Sequence, residues 1–537
     1  MDRRDALRLL TVPAFAPAFG VFDFGLPREG SAAAQTTRAV PDVELTLTAA
    51  PADVSLLPGA PTRVWRYTAT VVRGPATTVQ PLPGSYLGPV LHFRRGQKVR
   101  VRFENRLPEP SIVHWHGLDV PEAADGHPRL AVDAGRDYVY DFEVVNRAGT
   151  YWYHPHPHMR TGAQAYQGLA GVIVVSDPEE DALGLPAGDD ALVLVLQDRR
   201  FDAKNQLVYA NGGTMPGGMG RGGGMGGGMG RGGGMGGGMG EMMETMNGWL
   251  GDRLFVSGVP RPMRTLERRA YRVRLLNGSN ARIYKLAWSD GTPFTILGGD
   301  GGLLERARTR PFLTLAPGQR ADLLLDASAK GAGASFTLRS VAYPADAVGH
   351  VGMMGELSPL PQGAAVDLMS FTVRSGPATR LTLPERLCTP PAAWAASDRA
   401  PIRRVPLTFM RMEWLIGGRT FDMADAAPDE TVAPGSTHIW EFRNEPNPMG
   451  MAMAHPIHVH GTQFRVLSRS GAAGNALAEG LSDTRANDTV LVLPGETVRV
   501  QITFSTYPGL YLYHCHILEH EDMGMMRNFR ITAPARR

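Results

Sequence analysis

Apolar and polar residues alternate in short runs along most of the chain. The run from Val99 to Phe103 alternates with a period of two, and further short apolar runs extend from Ala191 to Leu196 and from Val490 to Leu493. Gly, Pro, Asn and Asp bound these runs, while the longer period of an amphipathic helix is nearly absent. The pattern predicts an all-β chain of β-sandwiches, with helix only in brief pieces.

One strand ending occurs three times and divides the chain into related units. The sequences R-F-E-N, R-L-L-N and E-F-R-N end at Asn105, Asn277 and Asn444. An H-x-H-G motif follows the first and third of these endings, and both of those units later close on G-x-Y-x-Y-H-x-H. In the middle unit, Leu286 and Trp288 stand where the first two histidines would be. The middle unit is therefore predicted to have lost its metal ligands.

The length of 537 residues fits several domains. We expect an export signal at 1–34, domains at 40–176, 190–375 and 401–537, and a linker at 376–400. The middle domain contains a Gly/Met-rich segment at 212–246, in which the unit M-G-R-G-G-G-M-G-G-G occurs twice. A segment so rich in glycine loses much conformational entropy on ordering and has few side chains whose contacts could offset that loss. The segment is therefore predicted to be disordered.

The N-terminus has the layout of a bacterial export signal. Arg3 and Arg4 precede a mostly apolar run from Leu9 to Phe22 and the small residues 31–34. The paired arginines indicate the twin-arginine route, and hence a periplasmic or otherwise exported protein. No later segment approaches the roughly 20 apolar residues of a membrane span, so we expect a soluble protein.

Charge and cysteine content exclude two further classes. The net charge of +3 is spread along the chain without the basic stripe of a nucleic-acid-binding protein. Two cysteines cannot form a disulfide framework. Cys388 lies in a Pro-rich stretch and is interpreted as a structural thiol, whereas Cys515 lies between two histidines.

The paired histidines are the first sign of a metal site. Side chains two apart on a strand point to the same face, so each H-x-H can offer two imidazoles to one site. One such pair is weak support for a metal, but this chain has four in two matched sets. They supply eight imidazoles if the outer domains pack together: His114, His116, His154, His156, His458, His460, His514 and His516.

A second site is indicated around Cys515. Two histidines, a cysteine and a weak axial methionine are the ligand set of a blue-copper electron-transfer centre. Here the set is His455, Cys515, His520 and Met525. Because Cys515 points to one face of its strand and its two neighbours to the other, three consecutive residues join this site to the eight imidazoles.

These motifs, and above all H-C-H-I-L-E-H-E-D-M-G-M from His514, resemble the multicopper oxidases, most closely the bacterial periplasmic cuprous oxidases. The resemblance implies three cupredoxin-like Greek-key β-sandwich domains and four copper ions. It assigns type 1 copper to His455, Cys515, His520 and Met525, type 2 copper to His114 and His458, and the type 3 pair to His116, His154, His156, His460, His514 and His516.

The implied activity is four-electron reduction of dioxygen to water, using electrons taken one at a time at the type 1 copper. The resemblance points to Asp125 and Glu521 as sources of the protons that this reduction consumes. His92, His127, His158, His350 and His438 remain without a ligand role.

The positions of the methionines indicate which reductant the protein uses. Nine of the 24 methionines fall between Met215 and Met246, and Met449, Met451 and Met453 alternate before His455. Thioethers prefer Cu(I), and an extended strand would turn these last three to one face. We therefore expect a monomer that oxidises Cu(I), phenols or both and serves in copper tolerance.

Three alternatives remain. The protein could be a laccase-like phenol or amine oxidase whose methionine segment only covers the type 1 site. It could instead be a periplasmic copper-sequestering protein, or a structural family member without activity. The complete ligand set disfavours the structural role, and steady oxygen consumption with a reductant would separate an oxidase from a sequestering protein.

Overall fold

The computed structural model describes residues 40–209, 242–349, 358–390, 400–447, 450–484 and 486–533. Its strands form six sheets, which fall into three consecutive pairs along the chain. We call these pairs the first, middle and third sandwiches. The proposed export signal and most of the Gly/Met-rich segment lie outside the described residues.

The first sandwich pairs a four-stranded sheet with a five-stranded one. In spatial order the strands are Thr62–Arg73, Val43–Val54, Lys98–Asn105 and Asp137–Glu143, then Val79–Gln80, Val90–Arg94, Gly171–Ser176, Gly149–Pro155 and Val113–His116. Inward-facing apolar residues form its core, with Trp115, Tyr140 and Tyr153 among the largest.

The middle sandwich pairs seven strands with five. They are Val259–Pro260, Arg253–Val256, Ala191–Arg199, Ala270–Asn277, Arg320–Asp326, Phe294–Gly299 and Gly302–Arg310, then Met263–Leu266, Val366–Val373, Ser335–Ser340, Tyr284–Trp288 and Leu313–Leu315. Leu286 and Trp288, which replace the histidines of the other units, are buried in its core.

The third sandwich pairs two five-stranded sheets. They contain Glu413–Ile416, Ile402–Met410, Thr437–Asn444, Thr497–Thr503 and Phe464–Ser470, then Thr431–Val432, Met526–Ile531, Gly509–Cys515, His455–Val459 and Thr489–Val492. The prediction of an all-β chain of sandwiches is confirmed.

Helices in the described residues are brief. The α-helices are Glu122–Asp125, Thr161–Gln167, Pro178–Asp181, Leu518–Asp522 and 242–247, and the 3₁₀ turns are Ala76–Thr78, Pro128–Leu130, Gly188–Asp190, Ala327–Ala329, Ala345–Ala347, Pro428–Glu430 and Ala478–Gly480. Each helix in this part of the chain is too short or too polar to cross a lipid bilayer.

The repeated asparagine closes the same loop in each sandwich. The side-chain nitrogens of Asn105 and Asn277 each donate to two backbone carbonyls, at 2.8–2.9 Å. Asn444 donates to the carbonyls of Val492 and Leu493 at 3.2 and 3.0 Å. This clamp explains the repeated motif, because buried backbone carbonyls at the strand end need donors.

Candidate metal centre

Cross-strand pairing places the paired histidines side by side. His114 lies opposite His154 in the first sandwich, and His458 lies opposite His514 in the third. Nitrogens of the two sandwiches then meet, since His114 Nε2 is 3.3 Å from His458 Nε2. All eight rings are buried in one site: His114, His116, His154, His156, His458, His460, His514 and His516.

Hydrogen bonds at the far side of the rings fix which nitrogen faces the centre. His114 Nδ1 lies 2.6 Å from the carbonyl oxygen of Asp125, and His458 Nδ1 lies 2.8 Å from that of Asp488. A ring that donates from Nδ1 carries its lone pair on Nε2, and the tautomer is set by that acceptor. Both Nε2 lone pairs therefore point inward.

The donor set fits a cluster of cations. Burial lowers the pKa of His154 to about 4 and holds those of His114 and His458 well below the ordinary value, so these rings are neutral. His460 Nε2 and His514 Nε2 are 3.1 Å apart, and neither ring nitrogen of buried His516 has a hydrogen-bond partner. Neutral imidazoles with converging lone pairs are suited to copper.

The second predicted site is also assembled. Cys515 Sγ lies 3.5 Å from His455 Nδ1 and 3.6 Å from His520 Nδ1. Met525 is fully buried in the same core, and its carbonyl accepts the N–H of Cys515. Burial raises the pKa of the Cys515 thiol, so its thiolate needs a bound cation.

The two predicted acids both reach the histidine cluster. Asp125 ends the helix Glu122–Asp125, and Gly126 follows with φ of 86°, where a Cβ would meet the Val113 carbonyl oxygen at 2.2 Å. The Asp125 carboxylate lies 2.8 Å from His460 Nδ1. Burial is the main cause that raises its pKa, and the neighbouring acids add to it.

Glu521 lies on the helix Leu518–Asp522 and is almost fully buried. Its carboxylate oxygens lie 3.4 Å from His156 Nε2 and 3.1 Å from His514 Nδ1. Both acids are thus within reach of the rings, but through different histidines.

Of the three methionines before His455, the two that the structure describes, Met451 and Met453, lie outside a strand. Asn447 and Met451 close a turn, in which Asn447 N–H donates to the Met451 carbonyl at 2.8 Å. Met451 is half-buried, Met453 is buried in the core of the third sandwich, and Met449 lies outside the described residues. The expectation of an extended strand here was wrong, because the turn replaces it.

The Gly/Met-rich segment ends in an ordered helix. Residues 242–247 are helical, so the predicted disorder does not extend to the last residues of 212–246. The core of the third sandwich contacts three methionines of this helix, Met242, Met243 and Met246. Burial of their apolar surface offsets the conformational entropy that is lost when the helix becomes ordered. The Met246 carbonyl lies 3.0 Å from His520 Nε2 and covers that ring edge.

Two residues that contact the site, Trp414 and Gly318, lie outside the sequence motifs. The ring centroid of Trp414 lies 4.4 Å from that of His520, with the rings tilted by 31°, and 4.9 Å from that of His455, in an edge-to-face arrangement. A Cβ on Gly318 would lie 2.9 Å from the His516 ring, so the middle sandwich closes over the cluster. None of these residues belongs to a repeated motif, and only their place in three dimensions reveals them.

His127 is one of the histidines without a ligand role. Its Nε2 lies 2.9 Å from Asn528 Oδ1, which joins the first sandwich to the third. Burial lowers the pKa of His127 from 6.5 to about 4, opposed by the bond to Asn528 and assisted by Arg129. The neutral ring is therefore the form that the fold accommodates.

We expect the free energy of unfolding to depend on pH through His127. The contribution of the neutral His127 ring to this free energy is complete above pH 6.5 and is lost as the pH falls to 4, because only the unfolded chain takes up the proton in that range. The loss is on the order of 3 kcal/mol. Denaturant unfolding of copper-loaded wild type and His127→Gln across this range should show a flatter profile for the variant. Parallel profiles would contradict the prediction.

Three β-sandwiches that hold a buried cluster of eight histidines and a second site around Cys515 define a class of copper oxidase. Two family models, each described as multicopper oxidase, match the chain, one at residues 64–180 and the other at residues 397–535. The chain is 29% identical over 450 residues to a multicopper oxidase of Staphylococcus haemolyticus, covering 84% of this chain and 83% of the relative. It is 27% identical over 535 residues to a laccase of Bacillus subtilis, covering 88% and 91%.

Among solved structures, the McoA multicopper oxidase of Aquifex aeolicus matches with a TM-score of 0.73 and 33% identity, covering 92% of this chain and 97% of that chain. The chain belongs to the multicopper oxidases. It is accordingly an oxidoreductase with a cupredoxin-like fold that uses copper and passes electrons from a reducing substrate to dioxygen.

Proposed function

We propose that the protein holds four copper ions and oxidises Cu(I), and that it oxidises phenols more slowly. The observation that carries the proposal is the convergence of eight buried imidazoles from two sandwiches, joined through residues 514–516 to the His₂Cys set. Copper in such sites supplies one-electron oxidation at one centre and reduction of dioxygen at the other.

The ligand assignment proposed here is the one that the resemblance to the multicopper oxidases implies. His455, Cys515, His520 and Met525 would hold type 1 copper, and His114 and His458 would hold type 2 copper. The type 3 pair would be held by His116, His154, His156, His460, His514 and His516. The chain itself orients these rings and excludes water from them, since each is at most 1% exposed.

Asp125 and Glu521 are proposed to hold the protons that dioxygen reduction consumes. Each carboxylate lies within 3.4 Å of a histidine nitrogen of the cluster. General acids work at such distances, directly or through one water.

Restricted access favours Cu(I) over bulky phenols. The Met246 carbonyl occupies the edge of His520 at which a reductant would dock. Nearby, Asn247, Leu250, Met453 and Ile517 help to line a crevice of about 20 Å³, which has room for a water but not for a phenol. An ion bound by thioethers of the Gly/Met-rich segment needs no aromatic pocket.

Oxidation of Cu(I) outside the cytoplasm would lower the amount of the more toxic ion, which suits a role in copper tolerance. The export signal expected at 1–34 supports this location. The laccase-like alternative differs from this proposal in its electron donor, which would be a phenol or an amine. The copper-sequestering alternative differs in that it would consume no dioxygen.

Oxygen uptake tests the proposal directly. Copper-loaded protein should consume dioxygen with Cu(I) as the sole electron donor, and more slowly with a dimethoxyphenol. A dominant phenol activity would support the laccase-like alternative. Copper binding without steady uptake from either donor would support sequestration.

We expect the Arg200–Glu244 ion pair to control access to His520. Two N–O contacts of 2.7 and 3.1 Å tie the helix 242–247 to Arg200, which also stacks 4.3 Å over Trp249. Glu244→Gln weakens this tie by about 1 kcal/mol and raises the open population by roughly fivefold. Phenol kcat/KM should rise by a similar factor, while Cu(I) oxidation should not gain.

The matched control is Asp483→Asn, which weakens a similar two-contact pair with Arg469 outside this helix. An equal gain in phenol oxidation by both variants, or none by Glu244→Gln, would contradict the role of the pair.

A further inference from the structure

Arg320 of the middle sandwich is a fully buried cation at the junction of all three sandwiches. Its guanidinium makes five hydrogen bonds, which use all five N–H groups. The acceptors are the carbonyls of Thr150, Gly318 and Asp300, at 2.9–3.0 Å, and both carboxylate oxygens of Asp488. This arrangement leaves neither Arg320 nor Asp488 free to rotate.

Asp488 in turn contacts one histidine from each outer sandwich. Its Oδ1 lies 3.1 Å from His116 Nε2, and its backbone carbonyl lies 2.8 Å from His458 Nδ1. The two rings are stacked with centroids 3.6 Å apart and an interplanar angle of 10°. Asp488, which belongs to the third sandwich, therefore links Arg320 of the middle sandwich to the histidine cluster.

The contact with His116 reverses its tautomer relative to the neighbouring rings. His114 and His458 donate from Nδ1 and face the centre with Nε2. His116 meets Asp488 through Nε2, and its Nδ1 lies 3.4 Å from His154 Nε2 inside the cluster. An ionised carboxylate only accepts, so it requires the proton on Nε2 and frees the lone pair of Nδ1.

Asp488 is not well placed to be a ligand itself, although its carboxylate lies within 4.8 Å of nitrogens of His116 and His458. Arg320 engages both of its oxygens, one at 2.7 Å. A cation held there would face the positive guanidinium at close range.

We propose that Arg320 and Asp488 are positioning residues that select the tautomer of His116 and anchor His458. The middle sandwich, which has lost its own ligands, thereby determines the geometry of the cluster in the other two. The proposal rests on the ligand assignment proposed above, and it assigns the pair no role at the Cys515 site.

Asp488→Asn is the sharpest test. The carbonyl of asparagine should turn to Arg320, so that its NH₂ group faces His116 and forces the proton onto Nδ1. We expect the copper affinity of the cluster to fall by roughly 10- to 100-fold, the usual effect of residues that orient metal ligands. The blue absorption of the Cys515 site should remain at the wild-type level per chain.

Arg320→Lys keeps the charge but loses the planar fork. It should leave the copper in place and alter the hyperfine splitting of the type 2 signal in electron paramagnetic resonance. Lysine cannot hold both carboxylate oxygens, so Asp488 and His458 should shift.

The matched control is Asp198→Asn in the Arg282–Asp198 pair, which is equally buried within the middle sandwich and has an N–O distance of 2.8 Å. It should change stability without changing the ratio of cluster copper to blue absorption. A wild-type cluster signature in Asp488→Asn, or a parallel loss of both signals in Asp488→Asn, would overturn the proposal. Wild-type protein that lacks the cluster signals would instead refute the ligand assignment.

Discussion

Cys515→Ser should give a colourless protein without oxidase activity. Cys515 Sγ lies 3.5–3.6 Å from the Nδ1 atoms of His455 and His520 and is the one thiol in that site. A serine hydroxyl is a hard and very weak acid, so it cannot replace the thiolate that a blue-copper centre requires. Turnover should fall by more than the roughly 100-fold loss seen for residues that merely surround a metal.

Cys388→Ser is the matched control for this prediction. Cys388 is buried, and its thiol donates to the Leu303 carbonyl at 3.1 Å, which a hydroxyl can also do. This variant should keep its colour and its turnover. Visible absorption and oxygen uptake measure both variants, and activity in colourless Cys515→Ser protein would remove Cys515 from the electron path.

Asp125→Asn should slow dioxygen reduction by on the order of 10²-fold or more, the usual effect of removing a general acid. The amide retains the shape of the side chain, and the backbone carbonyl that accepts from His114 is unchanged. Copper content and blue absorption should therefore stay near wild type, while oxygen uptake falls with every reductant.

Asp119→Asn provides a control in the segment that precedes the helix Glu122–Asp125. Burial raises the pKa of Asp119 to about 6, and no hydrogen bond between Asp119 and a cluster histidine is found in the described residues. Loss of copper together with activity in Asp125→Asn would make Asp125 an orienting residue for His460. Unchanged turnover would exclude both roles.

The histidine cluster could be predicted from the sequence because strand geometry is regular. Alternation puts His114 and His116 on one face, and the matching G-x-Y-x-Y-H-x-H frame indicates that two sandwiches contribute alike. The set around Cys515 was predictable for a different reason, since that combination of donors is specific to one kind of metal site.

The sequence did not predict contacts that depend on how the sandwiches pack. Arg320 and Asp488 are separated by 168 residues, and neither belongs to a motif. Tertiary packing also overrode local propensity where the Gly/Met-rich segment ends, because the core of the third sandwich accepts Met246. The boundaries of the three domains stay a prediction, as do the roles assigned to individual ligands.

The asparagine clamp at the end of one strand in each sandwich closes its loop without any contribution from the metal ligands. Asn277 makes the same pair of bonds as Asn105, although its own sandwich holds none of the paired histidines. Loop closure in each unit is therefore achieved by amide and carbonyl groups alone. A unit without the paired histidines therefore keeps the bonds that close its loop, and it can serve as a scaffold for the metal sites of its neighbours.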